Sequence, residues 1–175
     1  MKKAFINAKN EGRALEATIS SMLVNEGWTV MPITTDNTHG IGPRITNKHG
    51  STAAMDILAW KGADVRFLEC KAKATFSLHR NSGQWVTGLD KRLWDDYLKG
   101  QEGAPFKVAL IFLQEPGEEG SPSGLYWAWL SHLATHVHHE FAGNEATPAM
   151  IYFSEQALTK SMSFAQWERE QEASK

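Results

Sequence analysis

The sequence predicts an α/β domain: a mixed central sheet flanked by helices, laid down in the order αβββαβ, with extra strands and a helix at the C-terminal end. Three observations carry this. An amphipathic segment at 10–27 has helical periodicity. Two β-branched and aromatic runs meet at a short Gly-containing connection within 53–73. A second amphipathic segment at 89–100 leads into the continuously apolar run 106–113.

In the first helix Asn10 is placed to cap, Leu15, Ile19, Met22 and Leu23 form the apolar stripe, and Gly27 ends it. The strand WTVMPITT (28–35) follows. Residues 36–51, with three glycines, a proline, His39, His49, Arg44 and Lys48, read as a long loop. Loops of that length are usually functional or mobile, and a plain insertion fits the composition equally well. The runs 53–60 and 65–73 form a hairpin, and 74–85 reads as an irregular link. In the second helix Leu93, Trp94, Tyr97 and Leu98 face inward and Gly100 closes it. The run 106–113 is apolar at nearly every position, as expected of a strand buried on both faces. Turn residues at 115–124 precede an alternating aromatic strand at 125–130, a short strand at 149–153, and a terminal helix at 163–173 opened by Ser163. No repeat appears. We expect one domain over 1–175, with its core at about 9–113 and a C-terminal extension at 114–175.

Composition narrows the possible classes. At 175 residues with 42% hydrophobic and 22% charged residues, the chain can bury a core without disulfides or structural metals. The apolar run VALIFL (108–113) is far too short to span a bilayer. The start has two lysines but no apolar stretch of the signal-peptide kind. With a single cysteine, Cys70, an intramolecular disulfide is excluded, and a cytoplasmic location is expected. The net charge of −2 is unevenly spread: residues 1–100 hold 14 basic and 10 acidic side chains, and 101–175 hold 4 and 10. Phosphate contact is therefore plausible on one face, without a strong basic stripe.

The chemistry centres on Asp56, Glu69 and Lys71. A symmetric four-residue connection at 61–64 puts Trp60 opposite Val65 and, further along, Asp56 opposite Glu69. Like charges placed so destabilise a sheet, and a divalent cation, which takes carboxylate oxygens, relieves the repulsion. Strand alternation puts Lys71 on the face of Glu69 and turns Cys70 to the other, where it reads as a small buried residue. Two carboxylates with an ammonium beside them suit attack on a phosphodiester. On spacing alone, a solvated hairpin rim with an ordinary Glu–Lys pair fits as well; the position at the ends of two apolar runs favours a site. Glu16, at the edge of the first helix's stripe, is either a further carboxylate reaching the sheet rim or a solvated helix residue. His132 and His136 have the i, i+4 spacing of a zinc helix, but no glutamate lies between them and no cysteine is available. We read them, with His138 and His139, as surface or partner-facing residues.

Helix Glu16, strand Asp56 and strand Glu69-Cys70-Lys71 within an αβββαβ order together resemble the PD-(D/E)XK nuclease superfamily. NEGRALEATISSMLVNEGW (10–28) is similar to the opening helix of Holliday-junction resolvases and small phage-encoded endonucleases, and DDYLKGQEG leading into KVALIFL is similar to a helix–strand step of phage members. The resemblance covers about 9–113. Met55 stands where the superfamily's name has proline. It implies a restriction-endonuclease-like core. Asp56 and Glu69 would hold Mg²⁺ or Mn²⁺ with the backbone carbonyl of Cys70, and Glu16 would serve a second ion. Lys71 would position or deprotonate the attacking water or offset transition-state charge, and cleavage would leave a 5′-phosphate and a 3′-hydroxyl. The implied function is a metal-dependent, structure-selective DNA endonuclease, specifically a Holliday-junction resolvase. Two symmetric nicks call for two sites about a two-fold axis, hence a homodimer, acting in the host-cell cytoplasm if phage-encoded. Arg13, Arg44, Lys48, Lys73, Lys91 and Arg92 are the candidate DNA contacts. The alternatives are a repair, nicking or restriction-type nuclease of the same superfamily, or a catalytically silent nucleic-acid-binding module.

Overall fold

A computed structural model describes residues 2–33, 43–48, 50–73, 75–102 and 106–173, with backbone alone for 2–10, 73 and 170–173. The first helix, α1 (Lys2–Asn25), starts well before the expected cap, so Asn10 lies inside it. No glycine or proline interrupts 2–9, and nothing there stops the helix from extending. Its C-terminal end is as expected: Gly27 takes φ +83°, and the N–H groups of Trp28 and Gly27 return to the carbonyls of Leu23 and Val24. That pair of bonds is a Schellman closure, which favours glycine at the left-handed position.

Then come β1 (Thr29–Pro32), β2 (Arg44–Asn47), β3 (Gly50–Ala53), β4 (Ile57–Lys61) and β5 (Asp64–Lys73). Next are β6 (Ser77–His79), β7 (Gln84–Asp90), α2 (Lys91–Gln101) and β8 (Lys107–Gln114). The C-terminal part holds β9 (Gly124–Trp129), the single turn α3 (Leu130–Leu133), β10 (His139–Phe141), β11 (Met150–Ser154), β12 (Thr159–Met162) and α4 (Phe164–Ala173).

The central sheet has six strands in the order β1-β4-β5-β8-β9-β12, with β5 and β8 parallel and the other neighbours antiparallel. It is the mixed sheet that the sequence predicts. Alternation along β8 sorts the core into two clusters. Ile111 and Leu113 join Leu15 and Ile19 of α1, Ile57, Leu68, Cys70 and Trp167 of α4. Val108, Leu110 and Phe112 join Trp94 and Tyr97 of α2 together with Leu89, Ile151 and Phe153. Burial on both faces explains why that strand is apolar without alternation.

Several expectations need correction. Part of the loop expected at 36–51 is a β2–β3 hairpin, tied to α2 by Asn47 Nδ2 donating to the Lys99 carbonyl at 3.0 Å. Residues 34–42, with His39, and His49 lie outside the described residues. The link expected at 74–85 is a second hairpin, β6–β7, whose turn places Gly83 at φ +67°. Together with β10 and β11 these strands form a separate four-stranded antiparallel sheet, order β10-β11-β7-β6. Leu89 belongs to β7, and α2 begins at Lys91 because Asp90 caps it, its side chain accepting the Arg92 N–H at 2.8 Å. Ser163 opens α4 as expected: it donates its N–H to Gln166 Oε1 at 2.8 Å, while its Oγ takes the Gln166 N–H at 3.3 Å. That is a capping box. Among the described residues no helix is long and apolar enough to cross a membrane.

Candidate metal-binding active site

The β4–β5 register is the one the symmetric connection requires: Trp60 pairs with Val65, and Ile57 with Leu68. Asp56 sits one step beyond the last pair, so the same register sets it across from Glu69. Two neighbours pin it there. Its carbonyl accepts the Ile33 N–H at 2.7 Å, and Met55 before it is fully buried. Strand β5 runs past the end of β4 and stays paired with β8 as far as Lys73, so Glu69, Cys70 and Lys71 lie on a supported strand.

Glu69 is 4% exposed, and its Oε1 accepts both the Lys71 ammonium and the Tyr97 hydroxyl, the latter at 2.5 Å. Asp56 Oδ2 accepts the Cys70 N–H at 2.8 Å. Each carboxylate thus has one oxygen tied to protein, while among the described residues Asp56 Oδ1 and Glu69 Oε2 have no hydrogen-bond partner.

The electrostatics register the crowding. Burial first, and then the Glu69 charge, push the Asp56 carboxyl up to about 7; the Cys70 N–H and Lys71 offset only part of this. Glu16 is raised for the same two reasons, burial and Glu69, with Arg13 and Lys71 opposing. Burial on its own would pull the Lys71 ammonium down, but the Glu69 carboxylate against it wins and holds its pKa above the usual lysine value. Tyr97 is raised by burial and by Glu69, so its hydroxyl keeps its proton and remains a donor. Cys70 packs with Leu15, Ile19 and Leu68, and burial drives its thiol well up, which suits an inert core residue.

This donor set fits a hard divalent cation. A partly buried carboxylate that resists ionisation beside another carboxylate, with one unbonded oxygen on each, gains from a bound positive charge. Among the described residues no three His, Cys, Asp or Glu side chains gather closely enough to hold a metal by themselves. Two carboxylates with water filling the remaining positions is the usual arrangement for Mg²⁺. Glu16 is near enough to feel Glu69 and Lys71 but is not a third member of such a group.

The remaining candidates scatter. Arg13 is exposed on α1 beside Glu16. Arg44 is occupied on the β2–β3 hairpin, donating to Ser51 Oγ at 2.8 Å and to the Ser51 carbonyl at 2.5 Å. Lys48 is exposed in that hairpin's turn. Lys91 lies 3.5 Å from both Asp95 and Glu140, whereas Arg92 projects from α2 with its side chain 81% exposed. The Lys73 side chain lies outside the described residues. His132 and His136 stack on each other at 4.0 Å at the exposed end of α3. His138 and His139 pack instead with His79 of β6. The sequence pattern assigns Tyr97 to the core and misses its bond to Glu69. The signal was available: a buried tyrosine hydroxyl needs a partner.

No family model and no curated protein sequence matches the chain. Among solved structures it is similar to Hjc, a Holliday junction resolvase from the archaeal hyperthermophile Archaeoglobus fulgidus, with a TM-score of 0.52 and 11% identity over 83% of this chain and 90% of that one. At that identity the likeness is one of fold, and it bears out the sequence-based expectation: this chain has the restriction-endonuclease-like α/β arrangement, a mixed central sheet with flanking helices.

Proposed function

We propose that this protein is a metal-dependent, structure-selective DNA endonuclease of the Holliday-junction-resolvase kind, acting as a homodimer. The observation that carries the reading is the Asp56–Glu69 pair. Two carboxylates with one unbonded oxygen each stand beside the Lys71 ammonium, at the end of a strand pair in a fold shared with a resolvase. A sheet has no structural reason to keep two carboxylates against each other, and a cation gives it one.

In this reading Asp56 and Glu69 hold Mg²⁺ or Mn²⁺, with the Cys70 carbonyl assisting and Glu16 serving a second ion. Such an ion, when bound, acidifies a coordinated water and offsets charge on phosphate oxygens. The protein's own residues do the rest. Lys71 turns its ammonium from Glu69 toward the scissile phosphate, where it orients the attacking water and offsets charge developing on the oxygens. Cys70 fixes Asp56 through its N–H, and Met55 anchors the backbone before it. Basic side chains on the β2–β3 hairpin and α1 (Lys48, Arg13) supply phosphate contacts that position the substrate without reading its sequence. One chain carries one such site in this reading, so paired nicks across a junction need a second copy of the chain.

The test is incubation of purified protein with labelled four-way junction, linear duplex and single strand, with Mg²⁺, Mn²⁺ or EDTA. Paired symmetric nicks confined to the junction and lost in EDTA are the expected result. Cutting of all three substrates would make it a general nuclease instead. No cutting with either metal would leave only a binding module.

A further inference from the structure

Glu69 is held by more than its lysine. Tyr97, midway along α2 and 2% exposed, donates its hydroxyl to Glu69 Oε1 at 2.5 Å, on the same oxygen that accepts the Lys71 ammonium. The Lys71 Nζ also lies 5.7 Å from the centre of the Tyr97 ring, at the outer range of a cation–π contact. One buried tyrosine thus touches both the carboxylate proposed to hold metal and the ammonium proposed to act on substrate.

We propose that Tyr97 is a positioning residue for metal capture: its hydroxyl fixes Glu69 so that Oε2 is presented beside Asp56, and keeps it there when Lys71 turns away. This rests on the function proposed above and deepens it. A glutamate has three side-chain torsions, and one free in them loses entropy when it closes on an ion. Lys71 cannot be the permanent restraint, because the proposed chemistry draws its ammonium toward the phosphate. Tyr97 can. Its ring is packed in the core with Trp94 and Leu110, and its hydroxyl points from α2 across to the sheet. Hydrogen-bonded carboxylates are the rule around bound metals, and removing such a partner typically weakens metal affinity 10–100-fold.

The experiment uses Tyr97→Phe in the full chain, which removes one oxygen and leaves the ring. Mn²⁺ binding is measured by titration calorimetry without DNA, four-way-junction cleavage is measured as a function of Mn²⁺, and melting is followed in EDTA. The expected result is Mn²⁺ binding weakened by roughly tenfold or more, with cleavage recovering to near the unsubstituted rate at saturating Mn²⁺. A purely structural tyrosine would move only the melting temperature. Mn²⁺ affinity within about twofold of the unsubstituted protein overturns the positioning role and leaves the proposed function standing. Absence of both Mn²⁺ binding and cleavage in the unsubstituted protein overturns the proposed function, and this inference with it.

Discussion

Asp56→Asn should stabilise the metal-free protein, and the gain should depend on pH in a defined way. Burial and Glu69 push the Asp56 carboxyl from its ordinary 3.8 up to about 7 in the folded state. Below pH 4 the folded and unfolded chains both carry its proton, and Asp56 contributes no pH dependence. Between about pH 4 and 7 the folded chain retains a proton that the unfolded chain has released, so stability falls as pH rises. Above pH 7 the penalty is complete. Every pH unit separating the folded and unfolded values is worth about 1.4 kcal/mol, so the full penalty is at most about 4 kcal/mol. Asparagine keeps the shape and retains an oxygen to accept the Cys70 N–H, but never ionises. With about 2–4 °C per kcal/mol for a domain of this size, the full penalty corresponds to roughly 8–16 °C, and Asp56→Asn at pH 8 should melt above the unsubstituted protein in EDTA by up to that amount. The difference should close toward pH 4, and Mg²⁺ should stabilise only the protein that keeps Asp56. Thermal melts by circular dichroism at several pH values, in EDTA and in Mg²⁺, measure it. A variant that melts at or below the unsubstituted protein at pH 8, with the same pH slope, would refute the claim that the fold forces this carboxylate against a like charge.

Glu69→Gln should move stability the other way. It strips the partner from the largely buried Lys71 ammonium and, since breaking such a pair typically costs about 3–5 kcal/mol, should lower the metal-free melting temperature; a rise would mean that Lys71 is not held by Glu69. Both substitutions should abolish cleavage while leaving four-way-junction binding intact in a gel-shift assay, and undiminished cutting by either removes that residue from the active site. Lys71→Met should leave Mn²⁺ binding in calorimetry at least as tight as in the unsubstituted protein, since a positive charge beside the ion is gone, while cleavage falls; equal loss of binding and cleavage would make Lys71 structural. Neutralising Lys48 should reduce the magnitude of the salt slope of DNA binding by about one, and an unchanged slope would place the β2–β3 hairpin away from the phosphates.

What the sequence disclosed and what it hid divide along a physical line. Asp56, Glu69 and Lys71 were legible because the short symmetric connection fixes the β4–β5 register, and register decides which side chains meet. The helix end at Gly27 and the doubly buried β8 were equally local, one a matter of backbone conformation and the other of an uninterrupted apolar run. The four-stranded sheet was not legible. Ser77–His79 and His139–Phe141 are three-residue strands that exist only because β7 and β11 lie beside them, and three residues carry no period of their own. The start of α1 was misread for a related reason: asparagine favours a cap, but preference at one position yields when the preceding residues also favour helix. Tyr97 was seen as core and not as a site residue because its partner is 28 positions earlier in the chain, on an element whose packing against α2 no local pattern reports.

The same separation explains how a fold tolerates this site. Cys70 on one face of β5 and Glu69 on the other belong to opposite sides of the central sheet, so α1 can seal one side while the polar cluster occupies the second. The Cys70 N–H and the Tyr97 hydroxyl each satisfy one carboxylate oxygen, and Lys71 balances one charge of the two. What stays uncompensated is the burial of Asp56 and, after it, the Glu69 charge beside it, which together leave a carboxyl that ionises only near neutrality. A protein selected for stability alone would place asparagine there. In the proposed reading, the cation would sit at one atom pair, Asp56 Oδ1 and Glu69 Oε2. A bound cation at that pair would turn the repulsion into attraction, which is why Mg²⁺ should raise the melting temperature of the unsubstituted protein and leave that of the Asp56→Asn variant unchanged.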